Sequence, residues 1–211
     1  MLERASGFKS PFGHVCEGKT RRFCCDRDEN GKDTMPSRLE RARLLVREIP
    51  DYPIPGVRFQ DVTPLLADGD AFGATIAALE EFVDDCDLIA GIEARGFIFA
   101  AALALSSHRG FVPIRKKGKL PFLTFGESYG LEYGSDILEI HQDAIPHGAR
   151  TLIIDDVLAT GGTATAAIKL IERSGGVVSK VITILEIPSL GGRRRILEGK
   201  SDLPIHSLFD A

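Results

Sequence analysis

The chain predicts an α/β protein, with a central, mainly parallel sheet and helices on both faces. Three observations lead there. The apolar runs "DLIAGI", "GFVPIR", "RTLIIDD" and "VVSKVITILEI" have strand length and are rich in β-branched residues, as strands covered on both faces are. Helical patterns, "GFIFAAALALSS" and "TATAAIKLIERSG", alternate with them, which indicates right-handed βαβ units. At 211 residues and 44 % hydrophobic, the chain can bury one substantial core.

Taken in order, residues 1–35 mix charges, glycines and polar residues without a period of 2 or 3.6. They read as a flexible extension that burial cannot order, or as sequence upstream of a true start at Met35. Residues 36–211 read as one domain. Ser37 followed by Glu40 predicts a capping box opening the helix "RLERARLLVREI". The segment "PDYPIPGVRFQD" reads as a proline-stiffened loop. In "DAFGATIAALEEFVDDC", Phe72, Ile76, Leu79 and Val83 share one side of an amphipathic helix. Then come the alternating strands and helices, with Gly175 closing the second helix. Between about 116 and 145 the alternation breaks around Gly118, Gly126, Gly130 and Gly134. A long glycine-bearing segment inside a compact domain points to a mobile lid. Its second half, "SDILEIHQDAI", alternates like an antiparallel strand.

Composition excludes several function classes. A net charge of -4 argues against a nucleic-acid partner. No apolar run reaches the roughly 18 residues of a membrane span, the longest being Phe97 to Leu105. The amino terminus lacks the apolar middle of a secretory signal, so a cytoplasmic protein with no membrane partner is expected. Cys16, Cys24 and Cys25 lie near His14, but their spacing is not that of a zinc site. Cys86 fits a small core residue.

In parallel sheets ligands bind beyond the carboxyl ends of the strands. Three loops there carry chemistry: "EARG" after "LIAGI", "RKKGK" beginning at Arg115, and "DDVLATGGT" from Asp155 to Thr163. Thr160 to Thr163 combines a glycine turn, two hydroxyls and a helix amino terminus, which suits a phosphate. The glycines alone fit an ordinary tight turn with a threonine cap equally well. The spacing is neither that of the nucleotide P-loop nor of the dinucleotide fingerprint. Asp155 and Asp156 fit acceptors for sugar hydroxyls, and a ribose 5-phosphate would satisfy both halves of the loop. The cations of "RKKGK" and Arg95 fit a multiply charged anion such as diphosphate. Gly91 and Gly96, flanking "EAR", are expected to let backbone approach a ligand.

"LIIDDVLATGGT" resembles the phosphoribosyl-diphosphate signature of the type I phosphoribosyltransferases. "GIEARGFIF", "IRKKGKLP", "ESYGLEYG", "LEIHQDAI" and "DYPIPGVRFQDVTP" are similar to the members of that family that use adenine. The resemblance runs from about Ser37 to Ser207. It implies the type I phosphoribosyltransferase fold with a hood at about 50–62 and a mobile lid. It also implies a purine-salvage reaction in a homodimer: adenine and 5-phosphoribosyl 1-diphosphate, with Mg²⁺, give AMP and diphosphate. Mg²⁺ would be carried mainly by substrate and water, with no direct protein ligand.

Residue by residue, the resemblance assigns Asp155 and Asp156 to the ribose hydroxyls and Ala159, Thr160, Gly161, Gly162 and Thr163 to the 5-phosphate. Glu93, Ala94 and Arg95 form the diphosphate loop, joined by Arg115, Lys116, Lys119 and Tyr133, with Arg115 acting in the neighbouring subunit. Arg58, Phe59 and Gln60 match the adenine loop, where Phe59 stacks on the purine. Glu132 is placed to handle the adenine N7 proton. Glu132, Asp155, Asp156 and Arg95 are thus the expected catalytic set. Gly130 departs from the serine common in relatives. Two alternatives stay open: a phosphoribosyltransferase for xanthine, hypoxanthine or orotate, and a diphosphate-sugar-sensing regulator. The leader carries no helix-turn-helix pattern that such a regulator would need, and "GGRRR" at Gly191 to Arg195 reads as a solvated helix start.

Overall fold

The structure, a computed structural model, describes residues 35–130 and 135–211. The expectations for the leader and for Glu132 and Tyr133 lie outside the described residues.

Helix α1 (Met35–Leu44) begins before Ser37 and stops at Leu44, so Ser37 lies inside it and the pattern does not run on to Ile49. Residues Arg47–Pro50 instead form strand β1, antiparallel to β2 (Arg58–Asp61), with Ile49 opposite Phe59. Pro50 and Pro53 exclude a helix here. The Arg47 Nε, 3.2 Å from Asp61 Oδ2, ties the two strands. The proline-rich stretch is therefore the turn of a small two-stranded sheet.

After the short α2 (Thr63–Ala67), Asp68 caps α3 (Gly69–Glu80) by accepting a hydrogen bond from the Ala71 N–H at 3.0 Å. There follow β3 (Leu88–Ile92), α4 (Gly96–Ser106), β4 (Gly110–Lys116), β5 (Thr124–Gly130), β6 (Ser135–His141), β7 (Arg150–Leu158), α5 (Gly162–Arg173) and β8 (Val177–Glu186). A 3₁₀ turn at Pro188–Leu190 leads to α6 (Gly192–Gly199) and β9 (Ile205–Asp210).

The main sheet has the order β5-β6-β4-β3-β7-β8-β9. β4, β3, β7, β8 and β9 run parallel, while β6 is antiparallel to β4 and β5. The expected mainly parallel sheet is present. Strands β5 and β6 lie inside the segment read as a lid.

Pleating divides the core between the faces. Leu152 and Ile154 join Phe99 and Leu103 of α4 and Leu79 of α3 in one cluster. Ile153 points the other way, to Ile168 and Ile171 of α5 and Ile196 of α6. Helices thus cover both faces, which is why β7 is apolar without alternation. Gly91 has a packing role that the sequence reading did not assign it. A Cβ there would lie 2.7 Å from the Ala100 Cβ, so its missing side chain lets α4 pack onto β3.

Candidate active site

β7 outruns β3. Ile154 is opposite Gly91, near the end of β3 at Ile92, so Asp155 and Asp156 emerge beside the loop that leads into α4. Gly96, the first residue of α4, comes close to them: a Cβ on it would lie 3.0 Å from Asp155 Oδ1 and 2.9 Å from the Ile154 carbonyl. Its lack of a side chain leaves room for the Asp155 carboxylate. Burial, and then the Asp156 charge, push the Asp155 carboxyl well above the usual carboxylate range. Burial also raises Asp156, against the pull of Arg95.

Arg95 is the hub. Its Nε lies 2.6 Å from Asp156 Oδ2, its Nη1 donates to the Gln60 carbonyl at 3.3 Å, and its guanidinium stands 4.6 Å from the centre of the Phe59 ring. One side chain therefore joins the β7 carboxylates to strand β2. Phe59 also meets the Tyr52 ring edge-on at 5.1 Å. The side chains of Arg58 and Gln60 turn away to Glu48 on β1, at 3.4 Å each. At that position it is backbone that faces Arg95.

The Glu93–Ala94 peptide is cis. The Glu93 carboxylate accepts from Arg115 Nη2 at 3.2 Å and from the Lys116 N–H at 2.9 Å. Burial alone would raise its pKa, but these two donors outweigh it and hold Glu93 below its ordinary value. Arg115 also donates to the Lys119 carbonyl at 3.0 Å. Lys116 Nζ is 3.3 Å from Asp136, which receives the Tyr129 hydroxyl at 3.2 Å. Burial, then Asp136, push that phenol up to about 12. The end of β4 thus holds two cations paired with carboxylates from two places, Glu93 in the loop after β3 and Asp136 on β6.

The glycine turn resolves the question left by sequence. Gly161 adopts φ 76° and is itself the cap of α5, with no side chain capping the helix. The threonine-capped turn is excluded, and the first N–H groups of α5 keep their capacity for an anion. The turn is braced from the far end of the chain. A Cβ on Gly161 would lie 2.6 Å from the Gly192 carbonyl, and one on Gly192 would lie 2.3 Å from the Ala159 carbonyl. A Cβ on Gly162 would similarly lie 3.0 Å from the Gly130 carbonyl. Sequence reading missed Gly192, although the Gly-Gly pair at 191–192 was the signal for a close backbone contact. Gly192→Ala is expected to cost about 1–3 kcal/mol by overpacking, lowering the thermal midpoint by about 2–4 °C per kcal/mol. A midpoint equal to the wild type in a thermal scan would contradict this contact.

Of the three loops expected to converge, Arg95 joins "EARG" to Asp156 and Glu93 joins it to Arg115 and Lys116, while strand β2 adds the Gln60 carbonyl and Phe59 against Arg95. A cavity of about 730 Å³, lined by Arg150, Ser179 and Lys200 among others, lies at the opposite edge, where β7 and β8 begin. Among the described residues no group of three or more His, Cys, Asp or Glu side chains forms a metal site.

A family model for the phosphoribosyl transferase domain matches residues 66–202. The chain is 52 % identical over 160 residues to an adenine phosphoribosyltransferase of Psychromonas ingrahamii, covering 75 % of this chain and 88 % of that one. It is 47 % identical over 185 residues to one from Salinispora tropica, covering 87 % and 94 %. The crystal structure of adenine phosphoribosyltransferase from Rhodothermus marinus superposes with a TM-score of 0.77 at 45 % identity, over 83 % of this chain and 99 % of that one. The Saccharomyces cerevisiae enzyme, crystallised with an imino-altritol bisphosphate and adenine, gives 0.76 at 35 % identity, covering 82 % and 99 %.

Proposed function

Since the chain belongs to the phosphoribosyl transferase family and acts as an adenine phosphoribosyltransferase, we propose a division of labour among its residues for moving the 5-phosphoribosyl group from 5-phosphoribosyl 1-diphosphate to adenine. The observation that carries it is Arg95, which bridges the Asp155–Asp156 pair to Phe59 and the Gln60 carbonyl. A base on the β2 side and a sugar on the β7 side would meet across it.

Asp155 and Asp156 accept the ribose hydroxyls, and Ala159 to Thr163 hold the 5-phosphate at the uncapped start of α5. Phe59 lies along the purine ring, and backbone at Arg58 and Gln60 reads its edge. Arg95, Arg115, Lys116 and Lys119 draw charge from the diphosphate, with Ala94 and Tyr133 beside them. Glu93 positions Arg115 and the Lys116 amide. The bond from C1 to the diphosphate oxygen breaks with its electron pair leaving on diphosphate. Adenine N9 bonds to C1, and Glu132 takes the proton released at N7. The transition state is oxocarbenium-like, as in glycosyl transfer generally. Catalysis consists of holding the sugar, neutralising the leaving group and excluding water.

The site also suits Mg²⁺ arriving with the diphosphate. Two adjacent carboxylates against one guanidinium leave an acidic surplus, and a hydrated cation would complete the charge balance. A homodimer is supported by α4. It is apolar all round, and Ile98 and Leu105 remain 42 % and 79 % exposed, with Phe111 on the neighbouring strand 37 % exposed. A helix of that kind calls for cover on its second face, and Arg115 of β4 could then serve the neighbouring subunit's site. Among the described residues no helix is long and apolar enough to cross a membrane. We place the enzyme in the cytoplasm, in purine salvage.

The test is an assay with adenine, 5-phosphoribosyl 1-diphosphate and Mg²⁺, with hypoxanthine in parallel. AMP and diphosphate are expected from adenine, with little turnover of hypoxanthine. Equal turnover of both bases would overturn the assignment of adenine to the Phe59 loop.

A further inference from the structure

The three arginines that open α6 do different things. Arg193 is committed to Glu186, with Nε at 3.0 Å from Oε1, and to the Ile205 carbonyl at 2.7 Å. Arg194 turns back over Gly191, its Nη2 3.2 Å from where a Cβ on that glycine would stand. Arg195 lies three residues beyond Gly192, hence on the same side of the helix. That side is the one packed against the Ala159–Gly161 turn.

A Cβ on Gly162 would meet the Arg195 Nη1 at 3.5 Å and the Thr160 Oγ1 at 3.8 Å. A guanidinium nitrogen, a threonine hydroxyl and the start of α5 therefore surround one small space. Arg195 forms no ion pair with any described carboxylate. The amino end of α5 carries partial positive charge and has no side-chain cap. A cation held against a positive helix end is unfavourable unless an anion sits between them, and a phosphate would convert that repulsion into two attractions.

We infer that Arg195 is a further substrate-binding residue, contacting the 5-phosphate of the phosphoribosyl group and of AMP. This rests on the reading of Thr160 to Thr163 as the phosphate seat. It extends that seat from a backbone cradle to a cradle with a side-chain cation supplied by α6.

The test compares binding of AMP and adenosine to the full chain by titration calorimetry. In Arg195→Gln the affinity for AMP is expected to fall on the order of tenfold, as for a charge-assisted hydrogen bond from an exposed side chain. The affinity for adenosine, which lacks the phosphate, should not change. Arg195→Lys should recover part of the loss, and Arg194→Gln should leave both affinities as they are. The inference is overturned if Arg195→Gln binds AMP like the wild type, if it loses adenosine equally, or if Arg194→Gln loses as much AMP affinity. Thr160→Val with Thr163→Val separates the two readings. If that pair reduces the preference for AMP over adenosine while Arg195→Gln does not, Arg195 is wrong and the seat stands. No preference for AMP in the wild type would remove the seat itself.

Discussion

Replacing Asp155 and Asp156 together with asparagine is expected to abolish measurable binding of 5-phosphoribosyl 1-diphosphate. A hydrogen bond to a charged group contributes about 1.5–3 kcal/mol net. Losing the charge on both acceptors thus removes about 3–6 kcal/mol, or roughly 10²–10⁴ in affinity. Asparagine also presents an amide donor where an acceptor is needed. Titration calorimetry decides the matter, and tight binding by the double variant would end the hydroxyl-acceptor role. Stability should move the opposite way in the single variant Asp155→Asn. The folded pKa of Asp155 is raised above its unfolded value near 3.9, so the folded chain holds the proton more tightly. That contribution to stability is fully present below about pH 3.9 and is lost as pH rises through the raised folded value. At neutral pH the wild type therefore carries a penalty that Asp155→Asn lacks, and the variant's thermal midpoint should be the higher one. Asp156→Asn should not share the gain, because it leaves Arg95 without its anion.

Glu132→Gln is expected to lower kcat by about 10²–10⁴-fold, the range for a lost general acid or base. The substitution keeps size and shape and removes only the ability to take the proton. The affinity for the diphosphate sugar should therefore change little. The assignment comes from the resemblance of "LEYG" and from its neighbours. In sequence Glu132 follows shortly after Gly130, whose carbonyl would lie 3.0 Å from a Cβ on Gly162 at the phosphate turn. Single-turnover measurement at saturating substrates gives the answer. A kcat close to the wild type would take Glu132 out of proton transfer.

What could be read from sequence was what local pattern controls. β3, β7 and β8 are runs of Ile, Leu and Val because they are covered on both faces, and α4 and α5 carry their own helical periods. What could not be read depends on partners distant in the chain. β1 is four residues at the tail of a leucine-rich helical pattern, and only its pairing with Phe59 and Gln60 makes it a strand. β5 contains Gly126 and Gly130, which argue for a loop until β6 lies beside it. The site followed the same division. Asp155 and Asp156 announce themselves as carboxylates closing the apolar run of β7, inside the strand, and Arg95 and the glycine turn by following apolar runs. The contact of Gly192 with Ala159 and Gly161, and the attachment of Arg95 to Gln60 through backbone, have no local signature. The Arg58 and Gln60 side chains illustrate the limit, since residue type alone did not reveal that both turn toward Glu48.

The ion pair between Arg95 and Asp156 bears on how the two ends of one substrate could influence each other. On the roles proposed above, a ribose hydroxyl would compete with the Arg95 guanidinium for the same Asp156 oxygen. A diphosphate would offer that guanidinium a second anion. Under that proposal one side chain couples the sugar to the leaving group, and a burial cost for either charge would arise only if its new partner were missing.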